Sequence, residues 1–277
     1  MDLEYFDCLW EAEENFKGIP DGKSRQAWDR RAEDFNSRHH DERQEKILEL
    51  LLEKGMLDSN STVLDVGCGP GKFAIDFAQR AKRVVGVDIS PKMLQYAREN
   101  AAAQGLNNIE FKDLDWHSAD LSALNWEREF SLVTAIMSPA IISRAGLEKI
   151  IAASKEYGLI CHFVERHDSV SDRIKREVLG QNPEHKFGNT SLYCSFNVLW
   201  IYELFPEIVY FDLERELSRS VAEIYRSSIA RFEMREELSE AQKTEIKNCL
   251  EKMADKNGIV TEKTTSKIAC IFWKNRN

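Results

Sequence analysis

The sequence predicts an α/β protein built on a doubly wound, mostly parallel sheet. Three observations carry this. Short apolar runs rich in Val and Ile alternate with helical patterns from residue 62 onward, as successive βαβ units require. The first run, Val63-Leu64-Asp65-Val66, leads into Gly67-Cys68-Gly69-Pro70-Gly71, with glycines at alternate positions. Such a turn bends a buried strand sharply into a helix and lets backbone approach a ligand where a Cβ would intrude. The next two runs, Arg83 to Asp88 and Asn108 to Lys112, also finish at acids, Asp88 and the Asp113-Leu114-Asp115 stretch.

Each element follows from local pattern. Residues 1–40 carry Tyr5, Phe6, Trp10, Phe16, Trp28 and Phe35 among many charges. Trp28, Ala32 and Phe35 share one helical face, so an amphipathic helix is expected there. Arg43 to Lys54 is a helix with Ile47, Leu48, Leu51 and Leu52 on its apolar side, ended by Gly55. Lys72 to Arg80 is the helix after the glycine turn. Pro91 to Gln104 has proline in its first turn and stops at Gly105. Phe130 to Met137 is a fourth strand and Gly146 to Ser154 a short helix. Tyr157 to Glu165, nearly all apolar, is a fifth, buried strand. Ser169 to Leu179 is helical, 181–189 is a loop, and Thr190 or Ser191 caps a helix running to Leu204. Glu207 to Leu213 is a sixth strand. Ser220 to Met234 and Ser239 to Ala254 are amphipathic helices. Ile259 to Thr264 and Ser266 to Trp273 pair as a C-terminal hairpin.

Composition narrows the function. Of 277 residues, 43% are hydrophobic, enough for a proper core. Lys and Arg total 38 against 47 Asp and Glu, a net charge of -9, the wrong sign for neutralising phosphates, so nucleic acid is an unlikely partner. The six cysteines are scattered without a C-x-x-C pair, as in a cytoplasmic protein rather than a disulfide scaffold. No apolar run approaches the ~18 residues a membrane span needs. The Met1-Asp2-Leu3-Glu4 start is acidic where a secretory signal is basic, so no membrane partner is expected.

The glycine spacing departs from the G-x-G-x-x-G dinucleotide fingerprint, because the third glycine comes one residue early. It resembles motif I of the class I S-adenosylmethionine (SAM) dependent methyltransferases, with Asp65 two residues before the first glycine. The resemblance extends over residues 62–140 through four strand ends in order. It implies a Rossmann-like sheet of seven strands with the last antiparallel, SAM as cofactor and S-adenosylhomocysteine as product. It further implies a cofactor site of Asp65, Gly67, Cys68, Gly69 and Gly71. Asp88, with Ile89 and Met93, would serve the ribose, and Asp115 the adenine amino group, with Trp116 supporting the ring. Met137, at the end of the fourth strand, is likewise expected in the cofactor site. Trp28 lies in a segment resembling the N-terminal helix that covers the pocket in many small-molecule members. Residues 1–42 are therefore expected as a helical lid or arm. Residues 43–277 are expected as the cofactor-binding domain, with helical additions at 166–205 and 214–257.

The acceptor side is less legible. A sulfonium is already an excellent leaving group, so positioning supplies most of the acceleration and a base is needed only for a protonated acceptor. Ligands of open α/β sheets sit at the carboxyl ends of the strands. That rule places Ser138, the turn from Glu165 to Asp168, and the 181–200 segment with Tyr193 and Phe196 around a small-molecule acceptor. Glu165 and His167 are the candidates to orient or deprotonate it. Trp200 is expected to pack on the sheet. His162, in mid-strand, reads as a buried, hydrogen-bonded histidine. On a strand, residues 162 and 165 point to opposite faces, so His162-x-x-Glu165-x-His167 is not expected to bind a metal. A protein or RNA acceptor is the alternative. A non-catalytic partner protein would have no need of all of Asp65, the glycines, Asp88 and Asp115.

Overall fold

The computed structural model of the chain describes residues 2–12, 24–37, 42–185, 189–234 and 237–276. Phe16 and residues 186–188 of the expected acceptor segment lie outside them. The helices are α1 (Leu3–Ala12), α2 (Ser24–Ser37), α3 (Glu42–Glu53), α4 (Lys72–Ala78), α5 (Pro91–Ala103), α6 (Arg144–Ala153), α7 (Ser169–Glu177), α8 (Asn189–Ile201), α9 (Val221–Phe232) and α10 (Glu240–Met253). The strands are β1 (Thr62–Val66), β2 (Arg83–Asp88), β3 (Ile109–Asp113), β4 (Phe130–Ile136), β5 (Ser154–Asp168), β6 (Glu207–Ser220) and β7 (Ile259–Lys274). Among the described residues, no helix is long and apolar enough to cross a membrane.

The seven strands form one sheet in the order β3-β2-β1-β4-β5-β7-β6. The β1/β2, β1/β4, β2/β3 and β4/β5 pairs are parallel. Along β6 and β7 the side-chain pairs Asp212–Lys267, Glu216–Lys263 and Ser218–Thr261 run in opposite order, so these strands are antiparallel. The order reverses between β1 and β4, the switch point at which open sheets bind ligands.

The chain divides into two compact units. The first comprises Met1–His162, Gly188–Phe211 and Ala269–Asn277; the second, Phe163–Phe187 and Asp212–Ile268. This differs from the expected arm plus single domain, because α1 and α2 belong to the first unit. The first unit's core contains Leu64, Val66, Val85, Val87, Val133 and Ala135 of the strands, Leu147 and Ile150 of α6, and Phe6 and Trp10 of α1. Truncating one of these aliphatic side chains to alanine costs about 2–5 kcal/mol. The second unit has its own core of Val170, Ile174, Ile224, Leu238, Ile246, Leu250 and Val260.

The latter part of the chain holds more strand than its pattern suggests. β5 continues to Asp168, so the addition expected at 166–205 starts within a strand. β6 runs to Ser220, past its expected end at Leu213, and helix begins at Val221, where a helix from Ser220 was expected. β7 is one strand of 16 residues, not a hairpin. The reason is shared: Asp212, Glu216 and Arg219 of β6 pair with Lys267, Lys263 and Glu262 of β7. A ribbon with charges on both faces lacks the apolar alternation that marks a half-buried strand. Ser191 does not cap α8 but lies inside it, where its hydroxyl accepts from Trp10 Nε1 and donates to the Ile141 carbonyl.

Candidate cofactor site and acceptor side

β1 delivers the glycine turn. Asp65 pairs with Gly86 of β2 and Thr134 of β4, so the strand is held on both sides up to its end. Beyond it, the N–H groups of Gly67 and Cys68 both donate to the Val87 carbonyl. Gly67 has φ 75°, and a Cβ there would fall 2.1 Å from Ser138 Oγ, so β4's exit loop requires glycine. Gly69 is different. Its φ is 55°, and its missing Cβ would have only Met93 Sδ within 4 Å, at 3.9 Å. It is the glycine of the turn that leaves room for a ligand. Gly71, φ 84°, starts α4 and packs close to Ala97 and Phe111.

Two carboxylates organise this end of the sheet. Asp88 accepts from the Gly69 N–H through Oδ2 and from the Ser90 N–H through Oδ1, each at 2.9 Å. Burial raises its pKa, opposed by these backbone donors and reinforced by Asp113. The Leu114 N–H donates to the Asp88 carbonyl, which draws the β3 exit, with Asp113 and Asp115, beside β2. Asp115 itself accepts from the His117 N–H. Asp65 is buried, and burial pushes its carboxyl up to about 7, against a 2.9 Å hydrogen bond from Thr134 Oγ1.

α2 docks beside this turn. Asp29 accepts from Ser90 Oγ at 2.5 Å and from the Lys92 N–H at 3.2 Å. Arg25 pairs with Asp113, and Asn100 Nδ2 donates both to Asn36 Oδ1 and to the Pro70 carbonyl. The helix thus touches the exits of β2 and β3, and Asn100 of α5 links it to the turn that follows β1. Trp28 meets Phe35 edge-on at 6.0 Å, with the Arg31 guanidinium over both rings.

Some expected residues serve packing instead. The Trp116 indole is buried in the core and its N–H donates to the Gly146 carbonyl. Cys68 points its sulfur towards Gly86. Met93 lies fully buried beneath Gly69, and Ile89 follows Asp88 at the β2 exit. Met137, φ 54°, donates its N–H to the Cys161 carbonyl, joining the exits of β4 and β5.

On the acceptor side, Ser138 is only 3% exposed and faces Gly67, so it shapes the loop rather than an open wall. Tyr193 is exposed and contacts Phe6 of α1 at 5.9 Å; Phe196 stacks on Trp200. Trp200 is 53% exposed, contrary to the sheet packing expected of it. His162 is buried as expected, but its Nε2 finds no hydrogen-bond partner. Burial lowers its pKa to about 4, leaving a neutral imidazole at physiological pH. Glu165 and His167 fall in the second unit, where they bond each other at 2.9 Å. A cavity between α1 and the start of α6 is lined by Asp7, Trp10, Glu11, Arg144 and Glu148 among others. Arg144 pairs there with both Asp7 and Glu148, a pairing that sequence spacing of 137 residues conceals.

Comparison with known proteins bears on the family and the fold. The family described as "Methyltransferase domain" matches residues 57–177. A 67-residue stretch, 24% of the chain, is 46% identical to the 23S rRNA (uracil(1939)-C(5))-methyltransferase RlmD of Shewanella sediminis. A 69-residue stretch is 44% identical to an uncharacterized RNA methyltransferase of Bacillus cereus. In each case the match spans only 15% of the relative's length. Among solved structures, YcgJ of Bacillus subtilis has a TM-score of 0.51 at 18% identity, covering 83% of this chain and 98% of its own. The [4+2]-cyclase SpnF reaches 0.52 at 17% identity, covering 91% and 94%. These two likenesses establish the fold alone, and a cyclase among them shows that this fold does not fix the reaction.

Proposed function

We infer the reaction from family membership: over residues 57–177 this chain belongs to the methyltransferase-domain family, whose cofactor is S-adenosylmethionine. The residues fit that cofactor. The space left at Gly69, beside the Asp88 carboxylate and the β3 exit at Asp115, is the observation that carries the assignment. Gly69 and Asp88, with Ile89 and Asp115, would hold the nucleoside, and α2 would cover it. When bound, the cofactor supplies a methyl group on a sulfonium leaving group.

The chain's own part is to bind, to align an acceptor, and to receive a proton where the acceptor carries one. For that last role we propose His162, which shares a unit with the glycine turn and, in mid-β5 level with the exit of β4, keeps a neutral Nε2 with no hydrogen-bond partner among the described residues. Glu165 and His167 remain proposed as acceptor-side groups only through their place after β5. Turnover unchanged in both Glu165→Gln and His167→Asn removes them from that role.

We propose a small-molecule acceptor. Two features support it. The chain is acidic, and the cavity beside the β4 exit carries Asp7, Glu11 and Glu148 against the single cation Arg144. A phosphate backbone would meet the wrong charge there. The RNA reading draws on relatives that match only the cofactor-binding stretch. Incubation with labelled SAM and, separately, a metabolite extract and total RNA tests the choice. Label in the small-molecule fraction is expected. Label in RNA alone overturns the small-molecule reading while leaving the methyltransferase reading intact.

A further inference from the structure

The second unit gathers a donor set that no sequence spacing announces. His167 closes β5, Asp172 lies one turn into α7, and His185 sits in the loop that follows. One donor atom from each lies within 4.8 Å of the other two. His185 Nε2 is 2.9 Å from Asp172 Oδ2, and the two imidazoles lie against each other with centroids 3.9 Å apart. Glu165 adds a second carboxylate, 2.9 Å from His167 Nε2.

From this geometry we propose that His167, Asp172 and His185 form a binding site for a divalent first-row transition cation. Two imidazoles and one carboxylate suit zinc, cobalt, nickel or iron(II), whereas magnesium and calcium want oxygen alone. Donors around a tetrahedral ion with bonds near 2.0–2.1 Å stand roughly 3.4 Å apart. The trio therefore has to draw in by up to about 1.4 Å at its widest, and the widest separation is not the His185–Asp172 one, at 2.9 Å. The half-exposed His167 side chain, 46% accessible, has the freedom to close it. Exposure of His185 at 28% and Asp172 at 13% leaves an entry path while holding the carboxylate in place.

The surroundings hold the ligands in position. Asp172 Oδ2 also accepts from the Asp168 N–H. Asp168 caps α7 through the Ser171 N–H and is gripped by Arg166 and Arg231. The His185 carbonyl accepts the Arg166 N–H at 2.7 Å, which pins the loop at the ligand itself. Backbone and carboxylate contacts of this kind orient metal ligands and are worth about 10–100-fold in affinity. Without an ion, the same contacts form two separate His–carboxylate pairs. With one, the loop, the strand end and α7 become a single clamp.

The test uses the full chain carrying Cys8→Ser, which removes its exposed thiol. After treatment with chelator, the protein is titrated with Zn2+ by calorimetry and with Co2+ by visible absorption. One ion per chain is expected, with a cobalt spectrum of nitrogen–oxygen ligation and no displacement by millimolar Mg2+. His185→Ala, on a loop, and Asp172→Asn should each weaken binding at least tenfold. Wild-type affinity and spectrum in His185→Ala, or no saturable Zn2+ binding by the parent chain, would overturn the site. Far-UV circular dichroism shows that each variant has folded. If His167→Ala does not fold, the loop variant decides alone.

Discussion

The carboxylate of Asp88 holds the backbone N–H of Gly69 at 2.9 Å, so an acid at the end of one strand sets the course of the turn leaving another. Its second oxygen is bonded to the Ser90 N–H at the start of α5. One side chain therefore fixes two pieces of backbone at the proposed nucleoside site. Asp88→Ala removes the anchor and the proposed ribose acceptor together. Loss of hydrogen bonds to a charged group predicts a weakening of S-adenosylhomocysteine binding by roughly 1.5–3 kcal/mol, about 10- to 150-fold. Calorimetry with an otherwise folded variant checks it, and wild-type affinity would remove Asp88 from the site.

Asp65 makes stability pH-dependent. Its carboxyl is pushed up to about 7 in the folded chain, well above an exposed aspartate, so the native state holds its proton more tightly than the unfolded state. That contribution is complete below about pH 4 and disappears as pH rises through 7. Asp65→Asn should flatten this slope. Compared with the wild type, the variant should gain roughly 1–4 kcal/mol on going from pH 5 to pH 8. Denaturant melts at the two pH values measure the difference, and parallel curves would show that Asp65 is ionised throughout.

Gly67 and Ser138 are sterically coupled. A Cβ at position 67 would stand 2.1 Å from the serine hydroxyl, on a backbone with φ 75°. Gly67→Ala should cost about 1–3 kcal/mol through overpacking and a further 1–2 kcal/mol or so through the left-handed backbone. Adding Ser138→Gly should recover the first part and not the second. A double-mutant cycle without coupling would mean that the loop shifts freely.

His162 offers a neutral nitrogen in mid-β5, level with the exit of β4, its pKa lowered by burial to about 4. If it takes the acceptor's proton, His162→Asn should lower kcat by about 10²- to 10⁴-fold, the usual worth of a general base. Affinity for S-adenosylhomocysteine should stay within a few-fold. Rate in the variant should rise with pH as the acceptor ionises unaided. Equal losses of binding and rate would instead mark His162 as a packing residue.

The glycine turn was legible because its constraints are local. Gly67, Gly69 and Gly71 answer to sterics within one turn, and Asp88 lies one βαβ unit away. The first four strands begin within one residue of their expected starts; in β1, β2 and β4 the apolar runs are buried on both faces, whereas in the edge strand β3 only Phe111 is buried. β6 and β7 were legible only in part: strand was expected at Glu207–Leu213 and at 259–264 and 266–273, but not its continuation to Ser220 or the single run of β7, because their pairing uses Asp212, Glu216, Lys263 and Lys267, residues that suit an exposed helix equally well. The roles of Ser138 and Trp116 escaped for another reason. What buries them, Gly67 and the Gly146 carbonyl, lies far along the chain. The cluster of His167, Asp172 and His185 belongs to the same class.

The sheet order has a consequence for biosynthesis. β7 lies between β5 and β6, yet its residues, Ile259–Lys274, leave the ribosome after both. Until then β5 has an open edge and β6 has no neighbour on its inner side, so neither strand is protected from pairing with another nascent chain. Closing the sheet requires contacts between segments far apart in sequence, which slows folding. The hazard of mispairing therefore lasts until β7 emerges, and chaperone dependence should centre on β5 and β6 rather than on β1 to β4, which pair without waiting for it.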